Sequence, residues 1–253
     1  MGHYATTAVV WAAGLVFARV GTMMMLLPGV GEIFVPVNVR LVVALLLSMV
    51  MWPLASPHLP PLPPTIDGMT FDIVEEMIIG GMMGALLQFF SAALQTAGEL
   101  ISLQTTLSFA QTSNPAEAQP TASVSTFLML IGMTLVFDTD LHQLFIAAIA
   151  HSYTLFAPAK ALPVNDAGML ATQTLARTFT LSIQLAAPVI VFSLVFNIAS
   201  GLIGRAMPQF QVFFVATPLN LLLGLSVFAL SLGSIGLVWV RAFETFTGVF
   251  TGG

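Results

Sequence analysis

Polar side chains inside long apolar stretches are the residues of this chain whose chemistry is most constrained. One set recurs every three or four residues and so shares one face of a predicted helix: Gln88, Ser91, Gln95, Glu99, Ser102 and Thr106. A carboxylate such as Glu99 is costly to bury in lipid and normally faces a water-filled cavity or a protein partner. The pattern therefore predicts a pore-facing stripe or a large protein interface. Hydrogen bonds within a helical bundle are the alternative.

A second, weaker polar row is predicted nearer the C-terminus, formed by Gln173, Arg177, Thr180 and Gln184. Glu99 and Arg177 carry opposite charges in apolar surroundings, which makes them a candidate ion pair. Spacing along the chain cannot bring the two together, so this pair is a hypothesis.

Catalytic and metal-binding patterns are missing from the sequence. His142 and His151 are nine residues apart, too far for two metal ligands on one helix face. Asp138 and His142 are four apart, and a carboxylate at a helix end pairing with its neighbour explains them more simply than a proton relay. There is no Gly-x-Ser-x-Gly motif, no phosphate-binding loop and no cysteine. We predict no catalytic residues, no metal, no cofactor and no enzymatic activity.

The composition predicts a membrane protein in contact with lipid. Charged residues make up 7% of the chain, against about 25% in ordinary soluble domains. Hydrophobic residues make up 57%, and the mean hydropathy is +0.98. The net charge of −5 and the lack of a basic stripe exclude nucleic acid as a partner.

Arg205 is the only charged residue between Thr178 and Val240, with 27 uncharged residues before it and 35 after it. At about 1.5 Å per residue, a helix of either length exceeds the ~30 Å hydrocarbon core of a bilayer. Helix breakers surround Arg205 in residues 201–209. This region therefore predicts a hairpin of two apolar helices with a cationic tip.

The rest of the chain predicts one all-α polytopic domain. The predicted helices cover residues 5–27, 36–55, 71–110, 124–137 and 141–156. Five prolines in residues 57–64 predict a non-helical connector. Residues 158–167 read as a polar linker. Residues 107–122 read as a loop whose polar members include Ser113, Asn114, Pro115, Glu117 and Gln119.

Residues 197–219 closely resemble the signature of the FliR/SctT export-gate family of type III secretion systems, in its flagellar branch. The signature positions are Asn197, Gly201, Arg205, Pro208, Gln209 and Pro218. Shorter matches at residues 36–40, 97–101, 138–142 and 152–153 support the resemblance across most of the chain.

The resemblance implies a fold of long, kinked helices and helical hairpins, in which residues 1–167 look like FliP and residues 168–253 look like FliQ. It implies a structural subunit that assembles with FliP and FliQ and docks FlhB, in the bacterial inner membrane within the flagellar basal body. The complex would pass unfolded flagellar proteins, and the 107–122 loop would act as a plug. Arg205 would face the cytoplasm.

Two other classes remain open. A self-contained secondary transporter for a small solute would also use membrane carboxylates and broken helices. An intramembrane enzyme would need convergent catalytic groups, which the sequence does not contain.

Overall fold

The computed structural model describes residues 2–32, 35–107, 123–156, 158, 164–207 and 211–251. These residues contain seven α-helices, one short 3-10 helix and no strand, which confirms the all-α prediction. The helices are α1 (Gly2–Leu26), α2 (Val37–Ala55), the 3-10 helix (Ser56–His58), α3 (Ile66–Gln104), α4 (Ser123–Asp138), α5 (Leu141–Leu155), α6 (Val164–Ala206) and α7 (Val212–Thr251).

The lengths and composition of these helices are those of a multi-pass membrane protein. Within the described residues, α1, α2, α3, α6 and α7 are each long and apolar enough to cross a bilayer, and the broken pair α4–α5 counts as a sixth candidate span. The α6 helix has 43 residues and α7 has 40. Each is about 60 Å long, twice the thickness of a hydrocarbon core.

Three element boundaries differ from those that the sequence predicts. The third helix is Ile66–Gln104 rather than 71–110, and Thr106 just beyond it has a left-handed φ of 61° that ends the helix. The predicted linker 158–167 is shorter, because α6 begins at Val164. The proline-rich stretch was predicted to contain no helix, but Pro57 lies in the 3-10 helix, whose first turn tolerates a residue without an N–H.

The chain divides into two compact units. Unit 1 comprises Met1–Phe90, Thr139–Leu175 and Glu244–Gly253, and unit 2 comprises Ser91–Asp138 and Ala176–Phe243. Unit 1 buries apolar side chains of α1, α3 and α5, among them Leu15, Val20, Ile79, Leu86, Phe145 and Ile149. Unit 2 buries apolar side chains of α3, α4, α6 and α7, among them Leu94, Ile101, Leu128, Val189, Ile235 and Trp239.

Glycines on α3 allow close helix packing in both units. In unit 1, a Cβ at Gly80 would meet the Arg19 carbonyl of α1, and one at Gly84 would lie 2.8 Å from the Met23 carbonyl. In unit 2, a Cβ at Gly98 would meet the α4 backbone at Ser125. Small residues at such positions let helix backbones approach closely, which is how membrane helices gain packing energy.

Candidate functional sites

Among the residues that the structure describes in unit 1, Arg19 of α1 is the most deeply buried charged one, with 1% of its surface exposed. Its guanidinium forms a bidentate ion pair with Glu76 of α3, in which Nη2 lies 2.9 Å from Oε1 and Nε contacts Oε2. Nη1 donates to the Ser152 carbonyl at 3.0 Å, and Nη2 donates to the Phe156 carbonyl at 3.1 Å. The guanidinium also lies 4.3 Å from the centre of the Tyr153 ring. One side chain thus connects α1, α3 and the end of α5.

The end of α5 is well suited to receive this arginine. The last carbonyls of a helix have no partner inside the helix and carry partial negative charge, so a cation there is favourable. Arg19 supplies that cation and donates hydrogen bonds in the plane of its guanidinium. Two N–H groups of the guanidinium match the two oxygens of the Glu76 carboxylate, and a lysine ammonium could not make this bidentate contact. The arrangement satisfies a charge that would otherwise be costly inside an apolar unit.

More acidic groups lie near Arg19 than it can neutralise. Glu75 is 6% exposed and precedes Glu76, and Asp72 lies one helical turn earlier. The Tyr153 hydroxyl is buried and has no hydrogen-bond partner among the described residues. No group of three or more His, Asp or Glu side chains in the described part of the chain has an arrangement that could hold a metal ion. The cluster therefore reads as a structural ion-pair site with a surplus of carboxylates.

Sequence reasoning missed this site, although a signal for it existed. Arg19 is the only charge in the first apolar run, and Asp72, Glu75 and Glu76 interrupt the third. Each such charge needs a partner in apolar surroundings, so a link between the two runs was predictable. Which carboxylate pairs with Arg19 depends on how α1 and α3 are aligned.

The residues of the predicted pore-facing stripe differ in how deeply they are buried. Gln88, in unit 1, is exposed. In unit 2, Glu99 is exposed, Ser102 is buried, and Ser91, Gln95 and Thr106 are half-buried. The Gln95 carbonyl accepts a hydrogen bond from Ser125 Oγ at 2.9 Å, and its side-chain amide donates to the Met129 sulfur. The stripe is therefore partly used for packing between α3 and α4, and its pore-facing role stays a prediction.

Glu99 and Arg177 are both exposed, and no hydrogen bond or ion pair joins them in the described structure of the isolated chain. The Glu99–Arg177 ion pair therefore stays a prediction. The remaining members of the second row, Gln173, Thr180 and Gln184, are exposed as well. His142 lies 4.0 Å from Asp140, in a largely exposed pair of the kind that contributes little to stability.

The end of α3 in unit 2 is held by both terminal helices. The Gln104 carbonyl accepts hydrogen bonds from Ser193 Oγ of α6 at 2.9 Å and from Asn220 Nδ2 of α7 at 3.0 Å. A pocket of about 270 Å³, lined by polar and apolar side chains, lies beside this point. Its lining is Thr106, Phe196, Asn197, Ser200, Val212, Ala216, Thr217 and Asn220.

The sequence of this chain matches a known protein family. The profile of the family described as bacterial export proteins, family 1, matches residues 10–246. A flagellar biosynthetic protein FliR of Caulobacter vibrioides is 52% identical over 251 residues, which cover 99% of this chain and 100% of the relative. The chain belongs to family 1 of the bacterial export proteins.

More distant relatives of this export protein carry the same name. A FliR of Aquifex aeolicus is 28% identical over 243 residues, or 93% of this chain and 91% of the relative. A FliR of Escherichia coli strain K12 is 32% identical over 157 residues, or 62% of this chain and 60% of the relative.

The terminal hairpin that suggested the family is present in this export protein. Arg205 lies exposed in the last turn of α6, where a cation is favoured, and α7 begins at Val212. Asn197, Gly201 and Pro218 are exposed on the two helices. Two further signature residues, Pro208 and Gln209, lie outside the described residues. So does the whole set assigned to the plug-like loop: Ser113, Asn114, Pro115, Glu117 and Gln119.

Proposed function

We propose that this membrane protein is a structural subunit of the flagellar protein export gate, and that it assembles with FliP and FliQ into a channel for unfolded flagellar proteins. One observation carries the proposal: the Caulobacter vibrioides relative named FliR aligns over 99% of the chain at 52% identity. The channel would lie in the bacterial inner membrane, within the flagellar basal body. The role needs no enzyme chemistry, no cofactor and no nucleic acid.

Exposed apolar faces support assembly with other membrane proteins. On α6, four apolar side chains are 57–64% exposed: Val191, Val195, Ile198 and Leu202. Membrane helices associate through close packing of such faces, and lipid covers the remainder. We assign residues 168–253 to a FliQ-like hairpin and residues 1–167 to a FliP-like part, so that each packs beside its counterpart.

The polar rows support a channel role. Glu99 and Gln88 are exposed on α3, and Arg177 is exposed on α6. Exposed charges on apolar helices require water or a polar partner. We propose that the stripe Gln88, Ser91, Gln95, Glu99, Ser102 and Thr106 faces the export path, and that Ser113, Asn114, Pro115, Glu117 and Gln119 belong to the plug that closes it at rest.

We place the Arg205 tip at the cytoplasmic side, where positive residues accumulate next to membrane spans, and we propose that FlhB docks there. In this orientation the exposed arginine lies outside the hydrocarbon core. The excess of positive charge on cytoplasmic loops is the physical basis of the assignment.

Co-expression with FliP and FliQ tests the assembly. We expect the three proteins to purify as a complex of constant stoichiometry through affinity capture and size exclusion. A matched variant, Ile198→Glu with Leu202→Glu, places two charges on the exposed face of α6 and should lose the complex while the chain stays in the membrane. A chain that always purifies alone and binds a small solute would contradict the gate and favour a secondary transporter.

A further inference from the structure

The pocket at the end of α3 is lined by both polar and apolar side chains, and no part of the proposed export function requires it. Among its lining residues, Thr106, Asn197, Ser200, Thr217 and Asn220 carry hydroxyl or amide groups. None of the lining residues is charged. This lining offers no charge to balance an ion or a charged headgroup, and its hydroxyl and amide groups suit a neutral hydrogen-bonding ligand.

Asn220 supplies the second observation. Its side chain is 3% exposed, and its Nδ2 donates to the Gln104 carbonyl at 3.0 Å. A carbonyl can only accept, so the amide nitrogen must face Gln104 and the amide oxygen must face away from it. That oxygen, Oδ1, is buried and has no hydrogen-bond partner among the described residues. A buried acceptor without a donor costs about 1–3 kcal/mol.

We propose that this pocket is a hydration site, in which a bound water donates a hydrogen bond to Asn220 Oδ1. Water takes about 30 Å³ in the liquid, so a 270 Å³ cavity has room for several molecules. The hydroxyls of Ser200 and Thr217 on the same lining offer the further partners that an ordered water needs. Water here completes the polar network at the end of α3, whose other members are Gln104 and Ser193.

The site has a structural consequence for unit 2. Gln104 is the last residue of α3, and its carbonyl is the point at which α6 and α7 both hold that helix. If Asn220 Oδ1 had no hydrogen-bond partner, its free-energy cost would favour rotation of the amide away from Gln104. A bound water removes that cost, and so it stabilises the contact between the terminal hairpin and the end of α3.

The chain has no cysteine, so a single introduced thiol can report on water in the pocket. Thr217→Cys lies on the lining, and Leu230→Cys on the same helix is a control whose native side chain is apolar and 86% exposed. In membranes that contain the full chain, we expect a water-soluble methanethiosulfonate reagent to modify the Thr217→Cys protein at least about 10-fold faster, because only the thiolate reacts and it forms only in contact with water. Equal rates would overturn the proposal.

Two further variants separate a hydrated pocket from simple surface exposure. Asn220→Leu in the Thr217→Cys background removes the amide oxygen that would bind the water and should lower the rate severalfold. Ser226→Ala removes a hydroxyl of the same helix that lies outside the lining, so it should leave the rate unchanged at equal protein levels. A rate that does not change with Asn220→Leu, or that falls equally with Ser226→Ala, contradicts the proposal. A density map of the purified assembly should show water within hydrogen-bonding distance of Asn220 Oδ1, and a partner's side chain at that position would overturn the inference.

Discussion

Arg19 and Glu76 form a bidentate ion pair between α1 and α3, and the two side chains are only 1% and 2% exposed. The arginine uses its remaining donors on the Ser152 and Phe156 carbonyls. A pair that is buried and fully hydrogen-bonded in this way is costly to break, because either partner alone is an uncompensated charge.

Replacing one partner of this pair should destabilise unit 1 strongly. We expect Arg19→Leu or Glu76→Leu to lower the free energy of unfolding by about 3–5 kcal/mol, since each leaves one charge buried alone. The double variant should cost less than the sum of the single ones, because it removes both members of the pair together. Thermal unfolding in detergent measures both effects. The exposed Arg205→Leu is the control, and purely additive losses would show that the two residues are not coupled.

Close packing of α1 on α3 predicts a contrast between two adjacent glycines. Gly80→Ala places a methyl group against the Arg19 carbonyl and should cost about 1–3 kcal/mol through overpacking. Gly81→Ala meets no atom within 4 Å, so it should be neutral or should stabilise the helix by up to about 1 kcal/mol. Unfolding temperatures of the two variants measure this contrast. Equal losses of stability in both variants would refute the close packing of α1 on α3.

Glu32, in the connection after α1, should make stability depend on pH. Burial raises the pKa of Glu32 above its ordinary value of 4.5, and the charge of Arg40 opposes the shift. The folded chain then holds this proton more tightly than the unfolded chain, so stability falls as the pH rises through the interval between the two pKa values. We expect Glu32→Gln to gain stability over the native chain at neutral pH but not at pH values below 4.5.

Unfolding curves of the native chain and Glu32→Gln at several pH values test this sign. Glu32→Asp keeps an ionisable carboxyl and should keep a fall in stability with pH. A Glu32→Gln protein that loses stability relative to the native chain as the pH rises would show that attraction to Arg40 outweighs burial.

The stripe assignment predicts contact with exported protein. Single cysteines at Gln95 and Glu99 should form crosslinks with a cysteine in a stalled export substrate, because both positions would face its path. Met49→Cys is the control, since this residue is 78% exposed on the apolar α2. Crosslinks measured on gels should come from the stripe and not from Met49. The reverse pattern would remove the stripe from the channel.

The plug assignment predicts that the assembled complex leaks ions when the plug is removed. Deleting residues 113–119 should raise ion conductance across membranes that contain the chain with FliP and FliQ, because the path would stay open at rest. The same deletion without FliP and FliQ should leave conductance at the level of empty membranes. Unchanged conductance of the full complex would remove the plug role from this segment.

Much of the architecture could be predicted from the sequence because it depends on local properties. A bilayer requires long apolar helices, so the uncharged runs around Arg205 were enough to predict α6 and α7. Proline and glycine mark where helices stop, and the signature in residues 197–219 indicated the family. The end of α3 was misplaced, because the residue types after Gln104 are compatible with a helix, whereas Thr106 has a positive φ in the structure.

The pairing of polar groups was decided by the tertiary structure. Asp72, Glu75 and Glu76 are three carboxylates within five residues, and the sequence does not distinguish them as partners for Arg19. The close approach of α1 at Gly80 and Gly84 aligns the two helices so that Glu76 meets the guanidinium. Likewise, Gln104, Ser193 and Asn220 are far apart in the chain and meet only when α6 and α7 pack against the end of α3. Hydropathy is summed over neighbouring residues of the chain and can be read from the sequence. A hydrogen bond between distant residues depends on distances that packing alone determines.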